Sequence, residues 1–442
     1  MKLFAHVLGL ALALASLVVA QTPPAGVPPI AKCTSITVRK EIRSLSPAEW
    51  ATYNRAVNTA MEKGWMDWYG FFHLKIQNEI HKHVSFFVYH RNLVIDFENV
   101  LRRYEPTVVI PYWNSVADAQ NPPGSPVLGA NYLGGNGDPA NGNCVTTGIG
   151  ANWKFVYPTA HCLRRNYGEG SNVQRWFPAE FVTSLFQTET TYDAFRRRIE
   201  NTAHGAVHAS LGGEMNTMFS PEDPVFMIHH ANIDRIYAQW QAIDPENRTY
   251  MYEGANPDGT QAKITDSLKY SDAHVYDVIR LGYGKACYTY DTILAANGNT
   301  LALTRDYSTR NGTAASGTPP TPPRKCTTPN TCERQLVRQL PRPLLKKYFP
   351  AFAEGRFNGL ATEMWNIHPL QPMAADGPSA RAFVPPAPNE NMRGKLQYPT
   401  PAPESYIKMM HLNVTEVREV EQEARDFIDA LNAAGYLSPY LV

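Results

Sequence analysis

The sequence lacks a strong charge of either sign. Its 442 residues carry 41 Lys and Arg against 40 Asp and Glu, which leaves a formal net charge of +1. Such a balance provides no broad basic surface for nucleic acid and no cationic face for an anionic membrane. We therefore expect partners that are neither nucleic acid nor membrane.

Long apolar runs are absent beyond the first twenty residues, which argues against a membrane span in the rest of the chain. The first twenty combine Lys2 with an apolar stretch at 7–20 that ends in small residues. This pattern predicts a signal peptide over residues 1–20 and a secreted, extracellular protein. Sequons that permit glycosylation in that compartment begin at Asn247, Asn311 and Asn413.

The sequence also contains no Cys-x-x-Cys pair, which argues against a cysteine-based metal site. An even number of cysteines in an exported chain instead favours disulfides. The short spacing favours a bond between Cys326 and Cys332, and the other pairings stay open. The remaining cysteines are Cys33, Cys144, Cys162 and Cys287.

Proline is abundant at 35 residues, which predicts many loops between the helices. Ser46-Pro47-Ala-Glu49 has the form of a capping box with proline at the first helical position, so a helix should begin there. Helical spacing also predicts a helix over 414–437. We divide the chain into a signal peptide at 1–20, a large domain at 21–300, a Pro/Thr/Gly-rich linker or loop at 301–325, and a C-terminal extension at 326–442 that packs on the core.

Histidines are concentrated in two short windows. The first window holds His73, His81, His83 and His90, and the second holds His204, His208, His229 and His230. Residues 204 and 208 are four apart, so a helix places both on one face. A single histidine is more often a hydrogen-bonded structural residue, but two such groups predict a metal centre.

The donor set narrows the choice of metal. Neutral imidazoles suit copper, zinc, iron and nickel. Di-iron sites use carboxylates in Glu-x-x-His pairs, and structural zinc favours cysteine, and the sequence offers neither pattern. Six imidazoles without a bridging carboxylate favour a redox-active pair of copper ions. A zinc hydrolase stays the alternative from another class.

Two longer motifs resemble the copper-binding signatures of a known family. The segment His81-x4-Phe-Phe-x-Tyr89-His90-Arg91 resembles the first copper signature of tyrosinases, with Tyr89 where Phe or Trp is usual. The segment 223–234, Asp-Pro-Val-Phe-Met-Ile-His-His-Ala-Asn-Ile-Asp, resembles the second. Over roughly residues 40–290 the chain is similar to the tyrosinase and catechol oxidase (polyphenol oxidase) family, and most to its short secreted fungal members.

The resemblance implies a mainly α fold: a tyrosinase-like four-helix-bundle core around a dicopper site, with long loops and little β structure. Domain 21–300 would be the catalytic domain. Its cofactors would be two copper ions with O2 as co-substrate, and its partner a small phenol. The implied ligands of the first copper are His73, His81 and His90, and those of the second are His204, His208 and His230. His229 would face the substrate or support the ligands.

Several neighbouring positions gain roles from the same resemblance. Asp234 would orient its helix or an imidazole, or would pair with a neighbouring arginine, and Arg91 would lie behind the ligands. The motif Cys287-Tyr-Thr-Tyr290 resembles the tyrosine motif that closes the family's core, and Arg43 is its expected partner. The residues at the expected gate over the site are not bulky aromatics, so the mouth should be open. They are Asn216, Thr217 and Met218.

At two positions the sequence differs from that of some relatives. Glu79 stands where some relatives carry a cysteine bonded to the second ligand, so no thioether is expected. Relatives that hydroxylate monophenols often hold a water between a Glu and an Asn. Glu200 fits the Glu, but Gly205 replaces the Asn. A phenol has a pKa near 10, so losing this assistance harms monophenol oxidation most.

The sequence therefore favours a catechol oxidase, which converts o-diphenols to o-quinones. The alternatives are a tyrosinase with monophenol hydroxylase activity and an o-aminophenol oxidase. A haemocyanin-like O2 carrier can show the same histidine pattern, but carriers work in large assemblies, whereas this chain offers one secreted domain with one site.

Overall fold

The computed structural model describes residues 23–169, 173–292, 337, 340–354, 394–438 and 440. Helices dominate these residues, which confirms the mainly α prediction. The helices are α1 (Pro47–Glu62), α2 (Trp65–Ile80), α3 (Phe86–Arg102), α4 (Ser115–Asp118), α5 (Ala179–Thr188), α6 (Tyr192–Ile199), α7 (Gly205–Leu211), α8 (Val225–Ile243), α9 (Pro245–Arg248), α10 (Val275–Val278), α11 (Arg342–Tyr348), α12 (Pro350–Ala353), α13 (Glu404–Met409) and α14 (Val414–Ala433). The strands are β1 (Thr37–Arg39), β2 (Lys154–Phe155), β3 (His161–Cys162) and β4 (Tyr288–Tyr290).

Local sequence explains where the first and last helices begin and end. At the start of α1, the Ser46 hydroxyl accepts from the Glu49 amide at 3.2 Å, and the Glu49 carboxylate accepts from the Ser46 amide at 2.8 Å. This is the predicted capping box. α14 buries one apolar stripe, and the chain turns after it at Gly435, whose φ of 73° suits glycine.

The centre of the fold is α8. Every side chain from Val225 to Gln241 is buried, because the helix is surrounded by the rest of the domain. α3 packs along it, and α2 lies beside α3. α7 follows a π-helical turn at Glu200–His204 and completes the group of four helices around one interior. These four helices, with the turns next to them, carry the two histidine windows.

Two short strand pairings and two disulfides stabilise the domain, and one of each joins residues far apart in the chain. β1 pairs in parallel with β4, in the register Thr37 with Tyr288. The bond Cys33–Cys287 lies beside this pair, and Cys144–Cys162 lies beside the antiparallel pair of β2 and β3. Both pairings are ones that the sequence left open. Cys326 and Cys332 lie outside the described residues.

The C-terminal segments contact the core. Phe427 of α14 packs against Phe181 of α5, with ring centroids 5.5 Å apart. The predicted boundaries at 21–300, 301–325 and 326–442 stay predictions, and the signal peptide at 1–20 and Asn311 lie outside the described residues. Among those residues, no helix combines the length and apolar character that crossing a membrane needs.

The two described sequons lie at the surface. Asn247 on α9 is exposed, and its side-chain amide donates to Asp244 at 2.9 Å. Asn413 is exposed as well, and its side chain caps α14 by accepting from the Thr415 amide at 3.0 Å. Glycosylation at either position stays a prediction.

Candidate metal centre

The first three histidines come together from two helices. His73 lies on α2, His81 follows its last residue, and His90 lies in the second turn of α3. One ring nitrogen from each lies within 4.8 Å of the other two, and all three side chains are buried. The structure therefore brings together the predicted first ligand set.

The second set lies opposite, on α8 and on the π turn with α7. The rings of His204 and His208 are 4.6 Å apart, as expected from their spacing of four residues. The nitrogens within 4.8 Å of one another belong to these two residues and to His229, where the resemblance implied His230. His230 is not remote, because its ring lies 5.1 Å from that of His204.

His230 also contacts the first set. Its ring stacks on that of His90 with centroids 4.2 Å apart and planes 8° apart. The described ring contacts of His229 are with His204, His208 and His230 alone, and so stay within the second set. His230 thus stands between the two sets, and His229 stands on the outer flank of one.

Main-chain carbonyls fix the orientation of most of these rings. The Nδ1 atom of His73 lies 2.7 Å from the Met218 carbonyl oxygen, and that of His208 lies 2.7 Å from the Met215 carbonyl oxygen. The Nδ1 atom of His90 lies 2.8 Å from the Phe86 carbonyl oxygen. With Nδ1 as the donor, each Nε2 keeps its lone pair for a metal.

Among the described residues, the Nε2 atoms of six of these seven histidines have no protein partner. Buried ring nitrogens normally form a hydrogen bond, yet each of these Nε2 atoms is buried without one among the described residues. They belong to His73, His90, His204, His208, His229 and His230. Buried lone pairs that converge from neutral imidazoles form a donor set that fits copper ions.

Burial also sets the protonation state. Desolvation lowers the pKa of His73 and of His208 to about 4 in each case. It lowers the pKa of His81, His90, His204, His229 and His230 well below the usual value of 6.5. These imidazoles are therefore neutral near pH 7, which is the form that binds a metal.

The predicted gate residues lie on a loop, residues 213–222, that supports both ligand sets. Through its Met218 and Met215 carbonyls the loop holds one histidine of each set. Asn216 and Thr217 are half-buried. The Met218 side chain packs with Tyr406 and Met410 from the C-terminal segment, so the expected open mouth is bordered on this side by α13.

Glu200 and Gly205 have contacts that the sequence did not reveal. The Glu200 carboxylate accepts from Arg196 at 2.6 Å and from the Lys82 amide at 2.7 Å, so each oxygen has a protein donor. Gly205 faces Tyr406 of α13, and a Cβ added at Gly205 would lie 3.0 Å from the Tyr406 hydroxyl oxygen. Tyr406 is a neighbour of the site that no local motif indicated.

Asp234 serves as the centre of a buried ionic network. Its carboxylate accepts from Arg91 at 2.5 Å, from Tyr288 at 2.5 Å and from Tyr290 at 2.6 Å. Of the two roles predicted for Asp234, the structure therefore shows the pairing with an arginine. Through these contacts Asp234 also holds the tyrosine motif against α3 and α8. The carboxylate forms no hydrogen bond to an imidazole among the described contacts.

The prediction that Arg43 is the partner of the tyrosine motif was wrong. Arg39, not Arg43, lies 3.5 Å over the Tyr288 ring and donates to the Tyr290 hydroxyl at 3.4 Å. Arg43 instead pairs with Glu41 and Asp118. The reason is register: β1 places residue 39 opposite residue 290, whereas residue 43 lies beyond the strand.

Two sets of buried imidazoles on four helices form two neighbouring histidine sites, each of which could hold a metal ion. The sequence profile of the common central domain of tyrosinase matches residues 52–243. The chain is 30% identical over 288 residues to tyrosinase-like protein phomQ1 of Diaporthe leptostromiformis, covering 58% of this chain and 73% of that one. It is 31% identical over 195 residues to a tyrosinase of Streptomyces antibioticus, covering 40% and 69%.

A solved structure agrees with these sequence relatives. A variant of the polyphenol oxidase from Thermothelomyces thermophila superposes with a TM-score of 0.50 at 25% identity, over 58% of this chain and 88% of that one. The chain belongs to the tyrosinase family. It is therefore a copper oxidoreductase whose family implies a dicopper centre and a phenolic substrate with O2.

Proposed function

We propose that this protein is a secreted catechol oxidase, which oxidises o-diphenols to o-quinones with O2. The surroundings of Gly205 are the observation that favours a catechol oxidase over a tyrosinase. The space that an Asn side chain would need beside His204 is occupied by the ring of Tyr406, with a Cβ only 3.2 Å from its Cε1 atom. Arg196 and the Lys82 amide hold the Glu200 carboxylate in place, so the amide is the half of the suggested phenol-deprotonating pair that is missing.

Bound in this centre, two copper ions would supply the redox chemistry: two catechols each lose two electrons and two protons, and one O2 becomes two waters. The protein's own contribution is to hold six neutral imidazoles in place and to exclude water from them. A catechol already carries both oxygens of the o-quinone, so its oxidation includes no hydroxylation step. A monophenol must first be deprotonated and hydroxylated, and the base assists that step. This is why the incomplete base favours o-diphenols.

For the sixth ligand we propose His230, with His229 on the substrate side. His230 contacts rings of both sets, as a ligand of a shared centre should, whereas His229 contacts only the second set. The nitrogen distances favour His229 on their own. Copper content separates the two: His230→Ala should lose about one copper per chain, and His229→Ala should keep both and raise KM for catechol. The reverse result would assign His229 as the ligand.

Secretion rests on the two disulfides, Cys33–Cys287 and Cys144–Cys162, because such bonds form and persist in oxidising compartments. A predicted signal peptide at 1–20 and glycosylation at Asn247 and Asn413 agree with that location. Expression in a secreting host, followed by N-terminal sequencing of the product in the medium, checks cleavage after residue 20.

Oxygen uptake by the copper-loaded protein, with a catechol and with the matching monophenol, tests the function. We expect uptake with the catechol and no uptake, or a long lag, with the monophenol. Prompt uptake with both would make the protein a tyrosinase. Reversible O2 binding without turnover would make it a carrier, and His208→Ala is the matched inactive control.

A further inference from the structure

A second cluster of metal-binding side chains lies outside the histidine centre. It consists of His161 at the start of β3, Glu214 and Glu222. The His161 Nε2 atom lies 3.0 Å from a Glu222 oxygen and 3.5 Å from a Glu214 oxygen. The side chains of both glutamates are fully buried, and that of His161 is 10% exposed. One ligand atom from each residue lies within 4.8 Å of the others.

The hydrogen bonds of this cluster are incomplete. The His161 Nδ1 atom lies 2.7 Å from the Thr159 carbonyl oxygen, so donation there turns the Nε2 lone pair towards the glutamates. Arg164 donates to Glu214 at 2.9 Å. One oxygen of each glutamate, Oε2 of Glu214 and Oε1 of Glu222, is buried without a partner among the described residues. A buried carboxylate oxygen left unpaired is costly.

A proton alone relieves only part of this cost. Burial, with Glu214 and Asp67 nearby, raises the pKa of Glu222 to about 9, so the pair does not hold two negative charges at neutral pH unless a cation joins it. Protonation of Glu222 removes one charge but still leaves the Glu214 oxygen to be satisfied. One cation held by His161 and by the two oxygens that face it, Oε1 of Glu214 and Oε2 of Glu222, compensates the charge of both carboxylates.

We propose that His161, Glu214 and Glu222 bind one divalent cation of the zinc type. Histidine nitrogen with carboxylate oxygens is a donor set that Zn2+ accepts. Two ligand atoms at ~2.1 Å from one tetrahedral ion lie ~3.4 Å apart. The observed separations of 3.0 and 3.5 Å from the His161 Nε2 atom match this spacing.

The position of the site indicates which part of the protein the cation would stabilise. Glu214 and Glu222 stand near the two ends of the loop 213–222, whose Met215 and Met218 carbonyls orient His208 and His73. An ion that joins Glu214 to Glu222 closes this loop at its base. His161 is anchored in turn by the disulfide of the adjacent Cys162. The cation would therefore brace the support of both ligand sets without taking part in the reaction.

The test adds Zn2+ to the fully copper-loaded protein and removes unbound metal by gel filtration. Elemental analysis should then find one zinc in addition to two coppers per chain, and Tm should rise by a few degrees. Glu222→Gln and His161→Gln should each abolish zinc retention and the rise in Tm while keeping both coppers. Glu419→Gln, at an exposed carboxylate on α14, is the matched control and should behave like the parent.

The Glu222→Gln variant keeps the shape of a protonated carboxyl, so it should fold, and its copper content verifies this. Three results would overturn the proposal. These are a parent protein that retains no zinc, a Glu222→Gln variant that retains as much zinc as the parent, and zinc uptake matched by copper loss. None of them bears on the oxidation of phenols, so the proposed function is tested separately.

Discussion

Replacing Gly205 with asparagine tests whether Tyr406 occupies the space of the missing side chain. Gly205 has ordinary helical dihedral angles, with φ of −64°, so asparagine introduces no backbone strain. Its Cβ would meet the Tyr406 hydroxyl oxygen at 3.0 Å and Cε1 at 3.2 Å, which is closer than normal packing allows. Overpacking of this kind costs about 1–3 kcal/mol, so Gly205→Asn should lower the free energy of unfolding by that amount.

Removing the tyrosine ring should relieve the clash. Tyr406 is buried, so Tyr406→Ala alone should cost about 3–5 kcal/mol, as other buried aromatic truncations do. Because the two side chains compete for one space, the double variant should cost less than the sum, by about 1–2 kcal/mol. Urea unfolding of the four proteins measures this coupling, and oxygen uptake with a monophenol measures the gain of hydroxylase activity that we expect only in the double variant.

A double variant whose loss of stability equals the sum of the two single losses within about 0.5 kcal/mol would refute this reasoning, because residues that do not interact behave in that way. So would a Gly205→Asn single variant with full stability and prompt monophenol oxidation. Gly205→Ala is the control, because it adds the Cβ without an amide and should leave monophenol oxidation unchanged.

Three further predictions follow from the contacts described above. Asp234→Ala should lower the free energy of unfolding by about 3–5 kcal/mol because it leaves buried arginines uncompensated, and a urea midpoint close to that of the parent would contradict this. Serine at both Cys33 and Cys287 should cost about 2–5 kcal/mol, measured in the same assay against the parent under oxidising conditions. Burial lowers the pKa of His73 and of His208 from 6.5 to about 4, so the unfolded chain binds more protons between these values. The copper-free protein should therefore lose stability as the pH falls from 6.5 towards 4, and equal urea midpoints at pH 7 and pH 5 would show that these histidines do not contribute.

The features that the sequence predicted correctly depend on short stretches of chain. The capping box of α1 acts over four residues, and the pairing of His204 with His208 follows from one helical turn. The apolar stripe of α14 is likewise periodic over neighbouring turns. Two histidine windows with long motifs were enough to indicate the fold and the family, because the histidines of this centre lie close together within each window.

The features that only the tertiary structure decided join residues far apart in the chain. Cys33 bonds Cys287 across 254 positions, and Tyr406 reaches Gly205 from the C-terminal segment. No local pattern encodes such contacts, because they depend on how complete helices pack against one another. The same holds for Arg39, which the strand register places on the tyrosine motif, and for the cluster at His161. Local periodicity thus predicted the helices, and the two motifs predicted the candidate metal-binding histidines, whereas packing decided which distant side chains surround them.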